Sequence, residues 1–160
     1  MLNALLASDW VSPSVDYHAL APEIVLGGGI VLLLLLDLFL SDAKKWVLTP
    51  VASFSLLGAF IPVLTIALNT DGARSLFDGR YVVDDFSLVL KALFILAGYV
   101  VVLLSADHIR EGNYYQGEYW FLMLSSILGM VMMASSRDLV SIFVSLEFLS
   151  IPAYMLAAWR

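Results

Sequence analysis

Long apolar runs separated by short polar stretches dominate this 160-residue chain. With about 20 apolar residues per bilayer crossing, the pattern predicts five spans, at about 22–40, 46–68, 86–105, 119–135 and 139–159. Pro22 opens the first, PEIVLGGGIVLLLLLDLFL, at a position where a first-turn N–H would lack a partner in any case. An odd number of crossings puts the two termini on opposite sides. The 69–85 link holds the only strand-like material, SLFDGRYVVD, in which Asp78-Gly79 fits a two-residue hairpin turn; a short hairpin on the outer surface is expected there. No repeat, low-complexity tract or domain boundary interrupts the chain. The fold class is therefore all-α integral membrane, one membrane segment over residues 1–160.

Composition strengthens the membrane reading. Hydrophobic residues make up 61% and charged residues 14%, and the mean hydropathy is +0.92, far from the balance of a soluble domain. A net charge of −6 leaves no basic face for phosphate, so a nucleic-acid partner is not expected. With no cysteine, disulfides, thiolate zinc and iron–sulfur ligation are excluded from this chain. The two histidines, His18 and His108, lie outside the apolar runs, which makes a poor haem binder. Any redox cofactor must belong to a partner. The first run is not read as a signal peptide: it has no basic leader, follows Asp9, Asp16 and Glu23, and shows no small-residue cleavage pattern.

Aromatic residues mark the span ends, since Trp and Tyr favour the headgroup zone. Trp10, Trp46, Trp120 and Trp159 lie at or just outside the predicted boundaries, as do Tyr81, Tyr114, Tyr115 and Tyr119. Lys44, Lys45, Arg110 and Arg160 fall on one side, and Arg74, Arg80 and Arg137 on the other. The compact Lys44-Lys45 pair places its loop, and Arg160, in the cytoplasm, with the N-terminus outside.

Four ionisable residues fall within the spans. A charge at mid-membrane costs roughly 2.5–3.5 kcal/mol on insertion scales and points to function by default. Glu23 reads as a first-turn anion favoured by the helix dipole. Asp37 is close enough to its helix end to reach the interface or a partner subunit. Lys91 lies about 9 Å of helix rise past Asp85, where it either snorkels towards headgroups or faces a wet interior; it is a secondary candidate for a proton relay.

Glu147 is the main candidate. It lies about 13 Å of helix rise past Asp138, and its side chain is short. Pro152 cannot donate to the carbonyl of Phe148, so the helix should bend just beyond Glu147 and leave a carbonyl and water near it. Ser145 and Ser150 add hydroxyls, with Ser150 on the same face. Such a carboxyl is suited to hold or pass a proton unless a nearby cation keeps it charged. Gly27-Gly28-Gly29 signals close helix packing rather than a dinucleotide loop, and Met130, Met132 and Met133 read as core filling. No nucleophile–base set, phosphate loop or metal cluster is visible.

The segment SSILGMVMMASSRDLVSIFVSLEFLSIPAYMLAAWR resembles the antiporter-like subunits of bacterial proton-pumping NADH:quinone oxidoreductase. Their fifth-helix pattern maps onto Asp138, Leu139, Phe143, Glu147, Ser150, Pro152 and Tyr154. Leu146 stands where the L- and M-type subunits and the cation/proton antiporter subunits usually have Trp. Together with APEIVLGGGIVLLLLLDLFL and VDDFSLVLKALFILAGYVVVLLS, this makes the N-type the nearest pattern, over about 21–160. The resemblance implies the N-terminal part of a fourteen-helix subunit that couples quinone reduction to proton translocation, with Glu147 paired to a lysine on a seventh helix that this chain does not contain. Alone, the chain is expected not to conduct protons. The resemblance also implies NADH, FMN, iron–sulfur clusters and quinone in partner subunits, and M- and K-type membrane-arm neighbours. Likeness to actinobacterial versions implies menaquinone as acceptor. A monovalent-cation/proton antiporter subunit and a structural or assembly protein are the alternatives.

Overall fold

The computed structural model describes residues 15–69, 72–111 and 116–158. Five helices carry the chain: α1 (Ala21–Phe39), α2 (Leu48–Asn69), α3 (Asp85–Glu111), α4 (Gln116–Ser135) and α5 (Leu139–Ala157). All five are long and apolar enough to cross a membrane. A 3-10 turn, Asp42–Val47, leads into α2, and two short strands, β1 (Arg74–Leu76) and β2 (Tyr81–Val83), join α2 to α3.

The inward faces keep helical spacing. On α2, Ala52, Leu56, Ala59, Val63 and Ile66 recur every three or four residues and are buried; Leu26, Ile30 and Leu33 do the same on α1. The outward positions are apolar too, as lipid requires, with Phe54 and Ile61 largely exposed. α4 forms the centre and packs on α1, α2, α3 and α5. More than half of its span, 56%, is buried, against 11% for α5, which packs chiefly on α4 and leaves its other faces open.

Two helix starts at the hairpin end, those of α3 and α5, are closed by their own side chains. Asp84 accepts from the Ser87 amide at 2.8 Å while the Ser87 hydroxyl accepts from the Asp84 amide at 2.9 Å, a reciprocal cap on α3. Asp138 caps α5, accepting from the Ser141 amide at 3.2 Å and the Ser141 hydroxyl at 2.5 Å.

The strands pair antiparallel, Arg74 opposite Val83 and Leu76 opposite Tyr81. The turn differs from the expected two-residue form. It is a four-residue loop, 77–80, with positive φ at Phe77, Asp78 and Gly79, closed by the Gly79 amide donating to the Leu76 carbonyl at 3.2 Å. The register is the one that a turn centred on Asp78-Gly79 sets, with the ladder ending one pair short at Leu76 and Tyr81, and it puts Leu76, Tyr81 and Val83 on the buried side. The Arg137 amide donates to the Arg80 carbonyl at 2.8 Å, and Arg137 pairs with Asp84 at 2.5 Å, so the hairpin lies against the end of α4.

Two aromatic expectations change. Trp120 is fully buried at the start of α4, edge-on to Tyr119 at 5.0 Å, because α4 is the central helix and its first turn faces protein rather than headgroups. Tyr81 is buried as well. Trp46 is well exposed, as an interfacial residue would be. Trp10, Tyr114, Tyr115, Trp159 and Arg160 lie outside the described residues.

Of the glycine triplet only Gly29 makes a close approach, to Ser55 of α2; Gly27 and Gly28 face open space. The tighter case is Gly129 of α4, where a Cβ would stand 2.5 Å from the Leu149 nitrogen and 2.8 Å from the Phe148 carbonyl carbon. These are backbone atoms that no rotamer change can move. Gly129→Ala should therefore pry α5 from α4 at about 1–3 kcal/mol, read as a lowered thermal unfolding midpoint in detergent. Gly28→Ala, with nothing within 4 Å, should lose no stability in the same assay.

Candidate functional site

Two polar sites interrupt the apolar bundle. The first joins three elements near the hairpin end. Glu23 stands in the first turn of α1, Tyr81 opens β2, and Lys91 lies in the second turn of α3. The Lys91 Nζ is 2.7 Å from Glu23 Oε1, and the Tyr81 hydroxyl donates to the same oxygen at 2.6 Å. Lys91 also reaches the Tyr81 hydroxyl at 3.4 Å and stands 5.2 Å from the Tyr81 ring centroid, within cation–π range. The Lys91 side chain is 0% exposed and that of Glu23 11%.

This corrects two expectations. Glu23 is not merely a first-turn anion near headgroup water, because α1 is buried against its neighbours on the side from which the carboxylate projects. Lys91 does not snorkel, because a fixed counter-charge lies closer than the headgroups. Its position on the buried stripe Leu88, Lys91, Ile95, Gly98, Val102 of α3 explains the direction it takes. A usable signal was present: opposite charges enter the first and third spans from the same end, and Tyr81 stands four residues ahead of the third.

The pair is worth little as a source of net stability but a great deal as a constraint. Desolvation offsets much of the attraction between buried charges, while removal of one partner leaves the other stranded at about 3–5 kcal/mol. Burial first, then the negative charge of Glu23 and its hydrogen bond, push the Tyr81 hydroxyl well above the usual tyrosine range.

The second site is Glu147, midway along α5. It lines an apolar groove of about 380 Å³ between α4 and α5, together with Phe121, Ser125, Phe143 and Pro152. Its side chain is half-buried, and among the described residues no ion pair or hydrogen bond engages it. Ser145 faces the other way, towards Ser136 at 3.3 Å. Beside the proline, the Ser126 hydroxyl donates to the Leu149 carbonyl at 3.1 Å, a bond from α4 within the turn that Pro152 disturbs. Lys91 and Glu147 are not brought together, since Lys91 is committed to Glu23. Asp37 pairs with Lys45 at 3.4 Å inside this chain, an ion pair that leaves its buried Oδ1 without a hydrogen bond among the described residues.

Together these features define a class: a multi-pass helical membrane segment with one ion pair closed inside the bundle and one mid-span carboxyl open on its flank. The relatives narrow it. The chain is similar to NADH-quinone oxidoreductase subunit N from Thioalkalivibrio sulfidiphilus, 33% identical over 145 residues, which cover 91% of this chain and 30% of that protein. It is also similar to subunit N from Geobacillus sp. strain WCH70, 36% identical over 146 residues, and to subunit N 2 from Chloroherpeton thalassium, 37% identical over 145. Among solved structures, respiratory complex I from Thermus thermophilus contains a chain that matches with a TM-score of 0.69 and 29% identity, over 87% of this chain and 29% of that one. No family model matches. The resemblance to N-type subunits therefore holds over about nine-tenths of the chain, which spans about 30% of the length of these relatives.

Two measurements test the closed site. In a double-mutant cycle read by unfolding in detergent, Lys91→Ala and Glu23→Ala should each cost about 3–5 kcal/mol, and the double variant clearly less than their sum. The second concerns pH. A tyrosine held protonated by the fold contributes stability that is fully present below its unfolded value, about 10, and is lost as pH rises beyond it. Wild type should therefore lose stability above that pH more steeply than Tyr81→Phe. Tyrosinate absorbance from Tyr81 should appear only with unfolding.

Proposed function

We propose that this chain is part of an N-type membrane-arm subunit of a proton-translocating NADH:quinone oxidoreductase, with Glu147 as a mid-membrane station of its proton path. The observation that carries the proposal is the open Glu147 groove in a chain similar to subunit N. A carboxyl stands in the middle of a span, beside a proline-disturbed turn, without a partner among the described residues. A carboxyl at that depth is costly unless another group or water meets it. Its apolar surroundings suit a helix from outside these 160 residues, and a lysine on that helix would complete a pair able to exchange a proton. Lys91 is the secondary relay candidate, on the Glu23 side.

In this reading NADH, FMN, iron–sulfur clusters and the quinone, with menaquinone as the acceptor suggested by the sequence, belong to partner subunits, and the M- and K-type subunits are its membrane neighbours. The chain's contribution is a polar station held in apolar walls. The protein lies in the bacterial plasma membrane, with the Lys44-Lys45 loop in the cytoplasm and the hairpin outside.

The test is Glu147→Gln in the full-length subunit of an assembled complex, in sealed vesicles with a pH-sensitive dye. NADH-driven proton uptake should fall to a small fraction of wild type, with NADH oxidation falling alongside it because the two are coupled. Undiminished pumping in a fully assembled complex would sink the proposal. In liposomes this chain alone should give no proton leak above the empty-vesicle rate.

A further inference from the structure

Beside the Glu23–Lys91 pair lies a cavity of about 460 Å³. Its wall includes Glu23, Arg80, Tyr81, Ser136, Ser141 and Ser145, set among apolar side chains. It therefore sits where α1, the hairpin and the α4–α5 corner meet. Nothing in the Glu147 reading uses it.

The Glu23 carboxylate is served unequally. Its Oε1 takes both the Tyr81 hydroxyl and the Lys91 ammonium. Its buried Oε2 accepts no hydrogen bond from the described residues. An ionised carboxylate oxygen left this way is costly; the cavity wall is mostly apolar, but it is roomy, and Tyr81 and the serines give water polar partners beside this oxygen.

A run of hydroxyls leads along the same wall. Asp138, at the head of α5, accepts from the Ser141 hydroxyl at 2.5 Å. One turn deeper, the Ser145 hydroxyl bonds the Ser141 carbonyl at 2.7 Å and meets the Ser136 hydroxyl at 3.3 Å. Each of these hydroxyls donates its one proton within the protein, Ser136 to the Met132 carbonyl at 2.9 Å, and keeps lone pairs that can accept from water. Arg80 also lines the cavity and is exposed on the hairpin.

We propose that Glu23, Tyr81 and Lys91 form a proton-exchange site, served from the hairpin-side aqueous phase by a water file through this cavity. A hydronium on the file gives its proton to Oε2, leaving a water and the neutral acid. Return of that proton to the file restores the carboxylate. Lys91 keeps its ammonium and Tyr81 its hydroxyl throughout, so the cluster alternates between net charges of zero and plus one. The other ionisable groups that face the site are Arg80 on the hairpin, Asp84 ahead of α3 and Asp138 ahead of α5. α2 carries none, and those of α4, Glu118 and Tyr119, lie at its far end. The inference rests on the membrane-spanning reading of the helices and not on Glu147.

The chain has no cysteine, so single cysteines can report water access in proteoliposomes probed with a charged, membrane-impermeant methanethiosulfonate. Ser75→Cys marks the exposed hairpin, Ser141→Cys and Ser145→Cys mark the cavity wall, and Leu96→Cys marks the outward face of α3 at mid-span. The cavity positions should react from the same side as Ser75→Cys, about tenfold or more faster than Leu96→Cys, because a thiol in apolar surroundings is inert. Reaction at Ser75→Cys with silence at both cavity positions overturns the inference. Fast reaction at Leu96→Cys overturns the membrane-spanning reading instead.

Proton exchange itself is read by infrared difference spectroscopy. A carboxyl band that grows as pH falls, shifts promptly in D2O and is missing from Glu23→Gln is expected. If Glu23→Gln does not fold, Tyr81→Phe keeps the carboxyl and should shift the same band. The absence of any pH-dependent band sensitive to either variant overturns the proposal.

Discussion

A carboxylate and an ammonium that face each other at 2.7 Å inside apolar helices constrain this bundle more than any other contact. Hydrocarbon offers no water to an unpaired charge, so the protein must bring the two together or insert neither. Satisfying Lys91 sets the rotation of α3, since its ammonium must face α1. Satisfying Glu23 sets the depth of α1 relative to α3. Tyr81 adds the third point, and through it a two-stranded hairpin that could not be stable alone is seated against the helices.

The polar contacts then sort by end. At the hairpin end, Asp84 and Asp138 cap helices, Asp16 receives Arg74 at 2.9 Å, and Arg137 ties the corner after α4 to the loop before α3. At the opposite end Asp37 pairs with Lys45. Between them the helices meet through small residues, with no room for a Cβ against Ser55 at Gly29 or against the α5 backbone at Gly129. In lipid there is little hydrophobic gain from helix–helix contact, so close packing and interhelical hydrogen bonds carry association. The Ser126 bond to Leu149, next to the Gly129 contact, shows both acting at one place.

Hydropathy reads the five helices from the sequence because crossing length is a property of the bilayer, not of the partners. It does not read their faces, because a helix with lipid on one side and protein on the other is apolar all round. Trp120 shows the cost: hydropathy places it at a boundary, and only the central position of α4 buries it. Glu23 shows a second. Its depth was measured from the end of its own helix, where water is near, whereas its exposure is decided by the hairpin and α3 folding over it. The mid-span position of Glu147 is legible for the opposite reason, since depth along one helix depends on no partner. The hairpin is legible in its strands and in the Asp78-Gly79 centre of its turn but not in the length of its loop, because Phe77 also takes a positive φ and the ladder ends at Leu76 and Tyr81.

The two carboxyls differ in where their partners are. Glu23 has its cation two helices away in the same bundle, and both are enclosed. Glu147 lies on the least enclosed helix, in a groove whose walls are almost wholly apolar. An exposed apolar face next to an unpaired acid is unfavourable in lipid on the second count and ordinary on the first, so what α5 requires from beyond these residues is a polar group rather than more surface. Water, a hydrogen-bond donor or a cation can each meet a carboxyl at that depth, and Glu23 shows the last case, with Lys91 held fully inside α3.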